Sequence, residues 1–528
     1  MAKVTIDGIE VEVQDGINIV EAAKAADVHV PHYCYHPSLS VVGQCRMCLV
    51  EIEGMPKLQA GCSTTVKDGM KIGVYNEKVD KARKGQMEFL LINHPLDCPI
   101  CDKAGECPLQ DYAFNYGSVS SRYEEFKRTY PGMDRTAIGP HVVQNMNRCI
   151  HCTRCIRFTQ EITGTSELAF FKRGASTEVG VFPGTPLDNW MSACVTDICP
   201  TGALTTREFR FESRVWNLDS AESVCNGCDV GCNIFVGHRS GQVFRYRPRV
   251  NPDVNDHWLC DFGRFSYERY ETDRVVVPKV RQDDYLGIST WNEALDAIES
   301  AVQGSSGSSI SVIASANMTN EEAWLARKLF ADSMGASIDV AVDIIDPIKM
   351  KSATEWLVGT QGAPNYRGVN AVIGGQGGKT IERLMRHGAD GVDVLVILDA
   401  NFSEKTRDEA AIANLRKAKF IVVFSWDANH PLNEIADVLI PGTIHVEKEG
   451  TFTNLQGRVQ RIHQAFPPKG QAVADLEVYR RIGARLYPGS ADYSSADALD
   501  IFATLRSSIP AIQNAPMTDE AAVTRDAV

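Results

Sequence analysis

The sequence predicts a multidomain chain, α+β in its front half and α/β behind. Three observations predict it. At 528 residues the chain exceeds what one hydrophobic core serves. All 16 cysteines fall between Cys34 and Cys260, and residues 261–528 hold none. Beyond that point the texture changes, from short alternating strands and loops to buried apolar runs separated by helical patterns.

Bulk properties exclude several classes. The composition is that of an ordinary globular protein, 44% hydrophobic and 23% charged. A formal charge of −13, with no dense basic cluster, argues against a nucleic-acid partner. No run of about 18 apolar residues is present, so no direct membrane span is expected. The start, "MAKVTIDGIEVEVQDG", alternates like a strand rather than an export signal, and the expected location is cytoplasmic. There, thiols stay reduced, so metal or metal–sulfur binding is the leading reading for the cysteines.

Residues 1–78 read as the first domain. "KVTI" and "VEVQ" form a hairpin-like pair and "INIVEAAKAA" is amphipathic. Cys34, Cys45, Cys48 and Cys62 follow as C-x10-C-x2-C-x13-C. A small sheet with one helix and a cysteine loop resembles the β-grasp, plant-type [2Fe–2S] ferredoxins, whose first gap is four residues rather than ten.

Residues 79–118 hold the second set in "HPLDCPICDKAGEC": His94, Cys98, Cys101 and Cys107. Pro95, Pro99 and Gly105 let the backbone wrap one small object, and zinc competes here with an iron–sulfur cluster. Residues 119–215 carry "CIHCTRC", with Cys149, Cys152 and Cys155, completed by Cys199 in "DICPTGAL". This is the bacterial ferredoxin signature for [4Fe–4S]. Only Cys194 stands where a two-cluster ferredoxin has a second run, so one cluster is expected. Residues 216–272 bear "CNGCDVGC", with Cys225, Cys228 and Cys232, closed by Cys260. The intervening "NIFVGHRSGQVFRYRP" reads as strand–turn–strand and brings Cys260 back to the loop; a zinc ribbon competes.

Fifteen cysteines and His94 thus make four sets of four, with Cys194 read as an unused core cysteine. Four adjacent sites, one with ferredoxin spacing, favour a series of iron–sulfur clusters over separate zinc sites. Electron transfer between them is the implied task. Arg46, Arg148, Arg154 and Arg157 lie beside the cysteines; they either stabilise reduced clusters or are ordinary surface or salt-bridging arginines.

In this order the sets resemble the large iron–sulfur subunit of bacterial NADH–quinone oxidoreductase, respiratory complex I, over residues 1–270. The resemblance implies one [2Fe–2S] cluster, on the first set, and three [4Fe–4S] clusters. It implies partners: the flavin- and NADH-binding subunit and the quinone-side iron–sulfur subunits of the peripheral arm. It places the chain on the cytoplasmic face of the inner membrane, held through the complex. In the family, electrons from the partner's flavin enter at the [2Fe–2S] or neighbouring centres. They cross the ferredoxin-like and His-ligated clusters and leave toward quinone. The fourth cluster, found in some bacterial members, lies off that path; its four cysteines here predict occupancy. Neutral His94 in place of a thiolate removes negative charge, which on charge grounds favours reduction.

Residues 273–528 read as parallel α/β. "ISVIASA", "VDVLVILDA" and "KFIVVFSWDA" suit strands buried on both faces. "NEEAWLARKLFADSMG" suits a helix capped by Asn320 and stopped by Gly335, "GSSGSSI" a solvated loop, and "NAPMTDEAAVTRDAV" a loose tail. "VIGGQGGKT" fails as a phosphate loop, because Ile373 stands where that motif needs glycine. With "EKEGTFTNLQGRVQ", this half resembles a shortened molybdopterin oxidoreductase. No cysteine after Cys260 remains to ligate a catalytic metal, so a silent scaffold without molybdopterin is expected. The expected function is an electron-transfer subunit of an NADH–quinone oxidoreductase, with no catalytic residues and no complete active site of its own. The catalytic subunit of an NAD-linked formate dehydrogenase is the alternative; an iron-only hydrogenase and a zinc-bound scaffold are weaker rivals.

Overall fold

The computed structural model describes residues 1–270, 273–374, 378–402, 407–495 and 497–518. They divide into two compact units, residues 1–218 and a second from Asp219 onward.

The first unit opens on the hairpin that the alternation predicts. Strands β1 (Ala2–Ile6) and β2 (Ile9–Val13) pair antiparallel. Asp7 and Gly8 between them have φ of 47° and 85°, the two-residue turn whose twist matches that of the strands. Helix α1 (Ile19–Ala25) starts at Asn18, whose side chain accepts from Glu21 N at 3.1 Å, and buries Ile19, Val20, Ala22 and Ala23. After the cysteine loop come β3 (Leu49–Ile52), β4 (Gln59–Ala60) and β5 (Lys71–Gly73). β5 inserts between β1 and β3, parallel to β1, giving the order β2-β1-β5-β3-β4. That is a β-grasp sheet with one helix, as expected.

Helices α2 (Glu77–Leu91) and α3 (Pro108–Tyr116) flank the second set. Next come β6 (Thr136–Ala137), β7 (Val142–Gln144), α4 (Arg154–Arg157), the hairpin β8 (Leu168–Phe171) and β9 (Glu178–Val181), α5 (Cys194–Ile198) and β10 (Leu204–Thr206). β10, β7 and β6 make a small antiparallel sheet beneath the third set.

The second unit begins with an antiparallel meander, β11 (Asp219–Val224), β12 (Asn233–Arg239) and β13 (Gln242–Pro248), followed by the short α6 (Asp261–Arg264). β12–turn–β13 is the expected strand–turn–strand, with Ser240 and Gly241 at φ 52° and 76°. The hairpin β14 (Lys279–Gln282) and β15 (Tyr285–Ile288) then edges a seven-stranded sheet. Its other strands are β16 (Ile310–Ser315), β17 (Ser337–Ala341), β18 (Val394–Ile397), β19 (Phe420–Ser425) and β20 (Val438–Pro441). These five run parallel, in the order β20-β19-β18-β16-β17. Each of the three apolar runs holds one buried parallel strand: all six residues of β16 and all four of β18 are buried.

Two expectations need correction. The helix Asn320–Ala326 is capped by Thr319, not Asn320: Thr319 and Glu322 form a reciprocal capping box, because the hydroxyl one position earlier reaches the free N–H of Glu322 at 3.1 Å. Gly335, at φ 70°, does end the helical stretch. The tail is not loose where described: Val459 N donates to Pro516 O (2.9 Å) and Thr518 N to Val459 O (3.0 Å). Residues 375–377 of the glycine turn and 519–528 of the tail lie outside the described residues.

Candidate metal centres

The first set sits on the rim of the β-grasp sheet. Cys34 lies in the loop after α1, Cys45 and Cys48 lead into β3, and Cys62 sits in a tight turn after β4. Gly61 N donates to Cys48 O at 2.8 Å, tying the two strand ends together. The Cys34 thiol lies in hydrogen-bond reach of Cys45 and Cys62, and Cys48 of Cys62. All four expected residues converge.

In the second set, Cys98 is exposed while Cys101 and Cys107 are buried. His94 Nδ1 is buried without a hydrogen-bond partner, and burial lowers the imidazole pKa to about 4. A neutral ring with an orphaned nitrogen is a fitting iron ligand. Burial pushes the Cys107 thiol up to about 11, so a thiolate there needs a cation beside it.

The third set lines a cavity: Cys149, Cys152, Cys155 and Cys199, with Gln144, Thr153 and Thr201 among its walls. Between the cysteines, His151 and Thr153 take positive φ of 55° and 65°. For a β-branched residue that conformation is unusual and costs about 1–2 kcal/mol. It turns a backbone N–H inward: His151 N lies 3.4 Å from Cys149 Sγ. Cys194 is fully buried at the start of α5 and is not among the residues lining the cavity.

The fourth set is buried throughout. Cys225 N donates to Cys232 O at 2.7 Å, and Gly227 N and Gly263 N approach Cys225 Sγ (3.4 Å) and Cys260 Sγ (3.3 Å). A Cβ on Gly263 would lie 2.7 Å from Cys225 Sγ and 3.4 Å from Cys260 Sγ, so the returning Cys260 does reach the loop. Among the described residues no group of three or more His, Cys, Asp and Glu side chains has the spacing of a single-ion site.

Within the first unit the third set touches both others. Arg157 donates to Cys34 O and Ser40 O, and Arg154 to Tyr35 O. On the other side Cys107 Sγ lies 3.7 Å from Pro200 O, and Arg148 pairs with Asp97 at 3.0 Å. Of the four arginines, Arg148, Arg154 and Arg157 are buried and bonded across sets; Arg46 is exposed.

Family models match along the chain in the same order. Residues 1–77 match a 2Fe-2S iron-sulfur cluster binding domain, and residues 83–122 the NADH-ubiquinone oxidoreductase-G iron-sulfur binding region. Residues 139–205 match the ferredoxin-like domain of NADH-quinone oxidoreductase subunit 3. Residues 218–268 match the NADH-ubiquinone oxidoreductase NDSU1/NuoG-like 4Fe-4S domain, and 361–485 a molybdopterin oxidoreductase domain. The chain is 30% identical to the mitochondrial NADH-ubiquinone oxidoreductase 78 kDa subunit of Candida albicans, over 92% of this chain and 82% of that one. It belongs to the family of the large iron–sulfur subunit of complex I.

Other members of that family are closer in sequence over a shorter stretch. The NADH-ubiquinone oxidoreductase 75 kDa subunit of Reclinomonas americana is 40% identical, over 64% of this chain. The corresponding NADH-quinone oxidoreductase subunit of Rickettsia felis is 41% identical over the same share. The chain spans about half the length of these two, 48% and 50%. The four iron–sulfur family matches cover the four cysteine sets, one each.

Sequence reasoning missed the glycines that let protein approach sulfur. Gly202 follows Cys199 by three residues in "CPTG", and a Cβ there would lie 2.1 Å from Cys101 Sγ. Gly359, far from any cysteine in sequence, would meet Cys228 Sγ at 3.0 Å. "CPTG" carried a local signal for the first; nothing local marked the second. Residues of "EKEGTFTNLQGRVQ" make bonds within the fold. Asn454 Nδ2 donates to Val230 O (3.1 Å) and Gln460 Nε2 to Gly231 O (2.7 Å), while Thr451 and Thr453 bond Asn320.

Proposed function

We propose that this chain is the electron-transfer subunit of an NADH–quinone oxidoreductase, taking electrons from a flavin subunit and passing them toward quinone. The proposal divides it into domains 1–78, 79–118, 119–215, 216–272 and 273–528. It gives a [2Fe–2S] cluster to Cys34, Cys45, Cys48 and Cys62. Three [4Fe–4S] clusters go to His94, Cys98, Cys101 and Cys107; to Cys149, Cys152, Cys155 and Cys199; and to Cys225, Cys228, Cys232 and Cys260. When bound, the clusters supply one-electron carriers with potentials set by ligand, charge and burial.

The observation that carries this reading is the third set's direct contact with both the first and the second, through Arg157 to Cys34 O and Cys107 Sγ to Pro200 O. Contacts of this kind support a reading in which the three sets work as neighbouring redox sites. Most of the thiols are buried, and His151, at positive φ, aims its N–H at Cys149 Sγ. The proposed partners are the flavin/NADH subunit and the quinone-side iron–sulfur subunits, on the cytoplasmic face of the inner membrane.

The test uses the assembled enzyme with Cys152→Ser. NADH-driven quinone reduction is expected to fall to background while NADH oxidation by ferricyanide, which takes electrons at the flavin, persists. Quinone reduction at the wild-type rate in a variant lacking the third-set paramagnetic signal would overturn the reading.

A further inference from the structure

Arg154 stands out among the buried charges of the first unit. It is 8% exposed, on the four-residue helix α4 that starts after the left-handed Thr153. Nη1 donates to Ile198 O at 3.1 Å, next to Cys199, and Nη2 to Tyr35 O, next to Cys34. Nε has no partner. Among the described residues no carboxylate pairs with it. The two carbonyls it bonds thus belong to residues next to a third-set and a first-set cysteine, and thiolates at Cys152, Cys199, Cys34 and Cys45 attract its charge.

A guanidinium buried without a carboxylate carries a large desolvation penalty. It persists where the site itself supplies negative charge, as clusters held by thiolates do. Arg157, also buried, donates to Cys34 O, Ser40 O and Cys152 O and to Thr153 Oγ1, and its charge too acts on Cys152. Arg154 is the one whose bonds join the residues next to Cys199 and Cys34.

We propose that Arg154 is the shared counter-charge of the first and third sets, a positioning residue that raises the reduction potentials of both clusters together. The proposal rests on the electron-transfer reading and deepens it. Each one-electron reduction adds a negative charge, and a fixed positive charge between two sites in a low-dielectric interior stabilises the reduced form of each.

The test is a redox titration of the intact chain followed by paramagnetic resonance, with iron counted in parallel. Arg154→Met is expected to lower the midpoints of both the first-set and third-set signals and leave the second-set and fourth-set signals in place. Arg154→Lys, which keeps the charge, is expected to hold both midpoints near wild type. Arg46→Gln, removing an exposed charge, is expected to leave the third-set midpoint unmoved. Should Arg154→Met lose third-set iron, Arg154→Gln carries the same expectation. If that also loses iron, Arg154→Lys must retain both iron and midpoints for the proposal to stand. A shift of one midpoint alone, no shift, or an equal shift in Arg154→Lys overturns it. Wild-type protein with no iron–sulfur signals would instead defeat the electron-transfer reading.

Discussion

Gly202 and Cys101 are in contact across two cysteine sets: a methyl group on the glycine would sit 2.1 Å from the sulfur. Nothing in Cys101 can yield if its sulfur is fixed on iron, so the cost of the methyl falls on the backbone. Gly202→Ala is expected to destabilise the first unit by roughly 1–3 kcal/mol and to broaden or abolish the second-set signal while the fourth survives. An unaltered second-set spectrum at wild-type iron content contradicts this.

His94 offers a buried, neutral nitrogen. His94→Ala is expected to cost the second set its iron. His94→Cys is expected to keep it and lower its midpoint, since a thiolate adds a negative charge that opposes reduction. Redox-titrated paramagnetic resonance decides; a midpoint raised in His94→Cys is the opposite sign.

Glu321 is buried in the α/β unit, with Thr451 N donating to Oε2 at 2.8 Å and Thr451 Oγ1 2.7 Å from Oε1. Burial raises its pKa from 4.5 to about 7. In the folded chain it therefore stays protonated where the unfolded chain has ionised. Its contribution is fully present below pH 4.5, declines as pH rises to 7, and is constant above. Glu321→Gln has no proton to lose, so its stability relative to wild type is expected to rise between pH 5 and 7.5, by roughly 3 kcal/mol at most. Thermal denaturation of both proteins across that range checks it. A difference independent of pH contradicts it.

Arg274 and Glu447 form a buried two-pronged ion pair, Nη1–Oε1 3.0 Å and Nη2–Oε2 2.7 Å. Removing one partner strands the other. Arg274→Ala is expected to cost roughly 3–5 kcal/mol, and Arg274→Met with Glu447→Gln distinctly less. Denaturant unfolding of the second unit measures both; equal losses would mean the pair's charge is not what matters.

Much of this was readable in advance, for physical reasons specific to each element. Alternation and the Asp7–Gly8 turn dictate β1 and β2 locally, and continuous apolar runs dictate β16, β18 and β19, because a strand covered on both faces has no polar side. The sixteen site residues carry their own signal in spacing. What stayed hidden is set by tertiary approach. Gly359 matters only because a distant strand passes Cys228, and Arg154 only because its guanidinium reaches Tyr35 O, 119 residues away. Thr319 was legible but misplaced by one residue, since Asn320 is an equally good capping type.

The most direct measurement is iron and acid-labile sulfide per chain in anaerobically purified protein, with paramagnetic resonance after dithionite. The account predicts about fourteen irons, matching sulfide, and separable signals from two-iron and four-iron centres. Stoichiometric zinc without sulfide, and a silent spectrum, would contradict it.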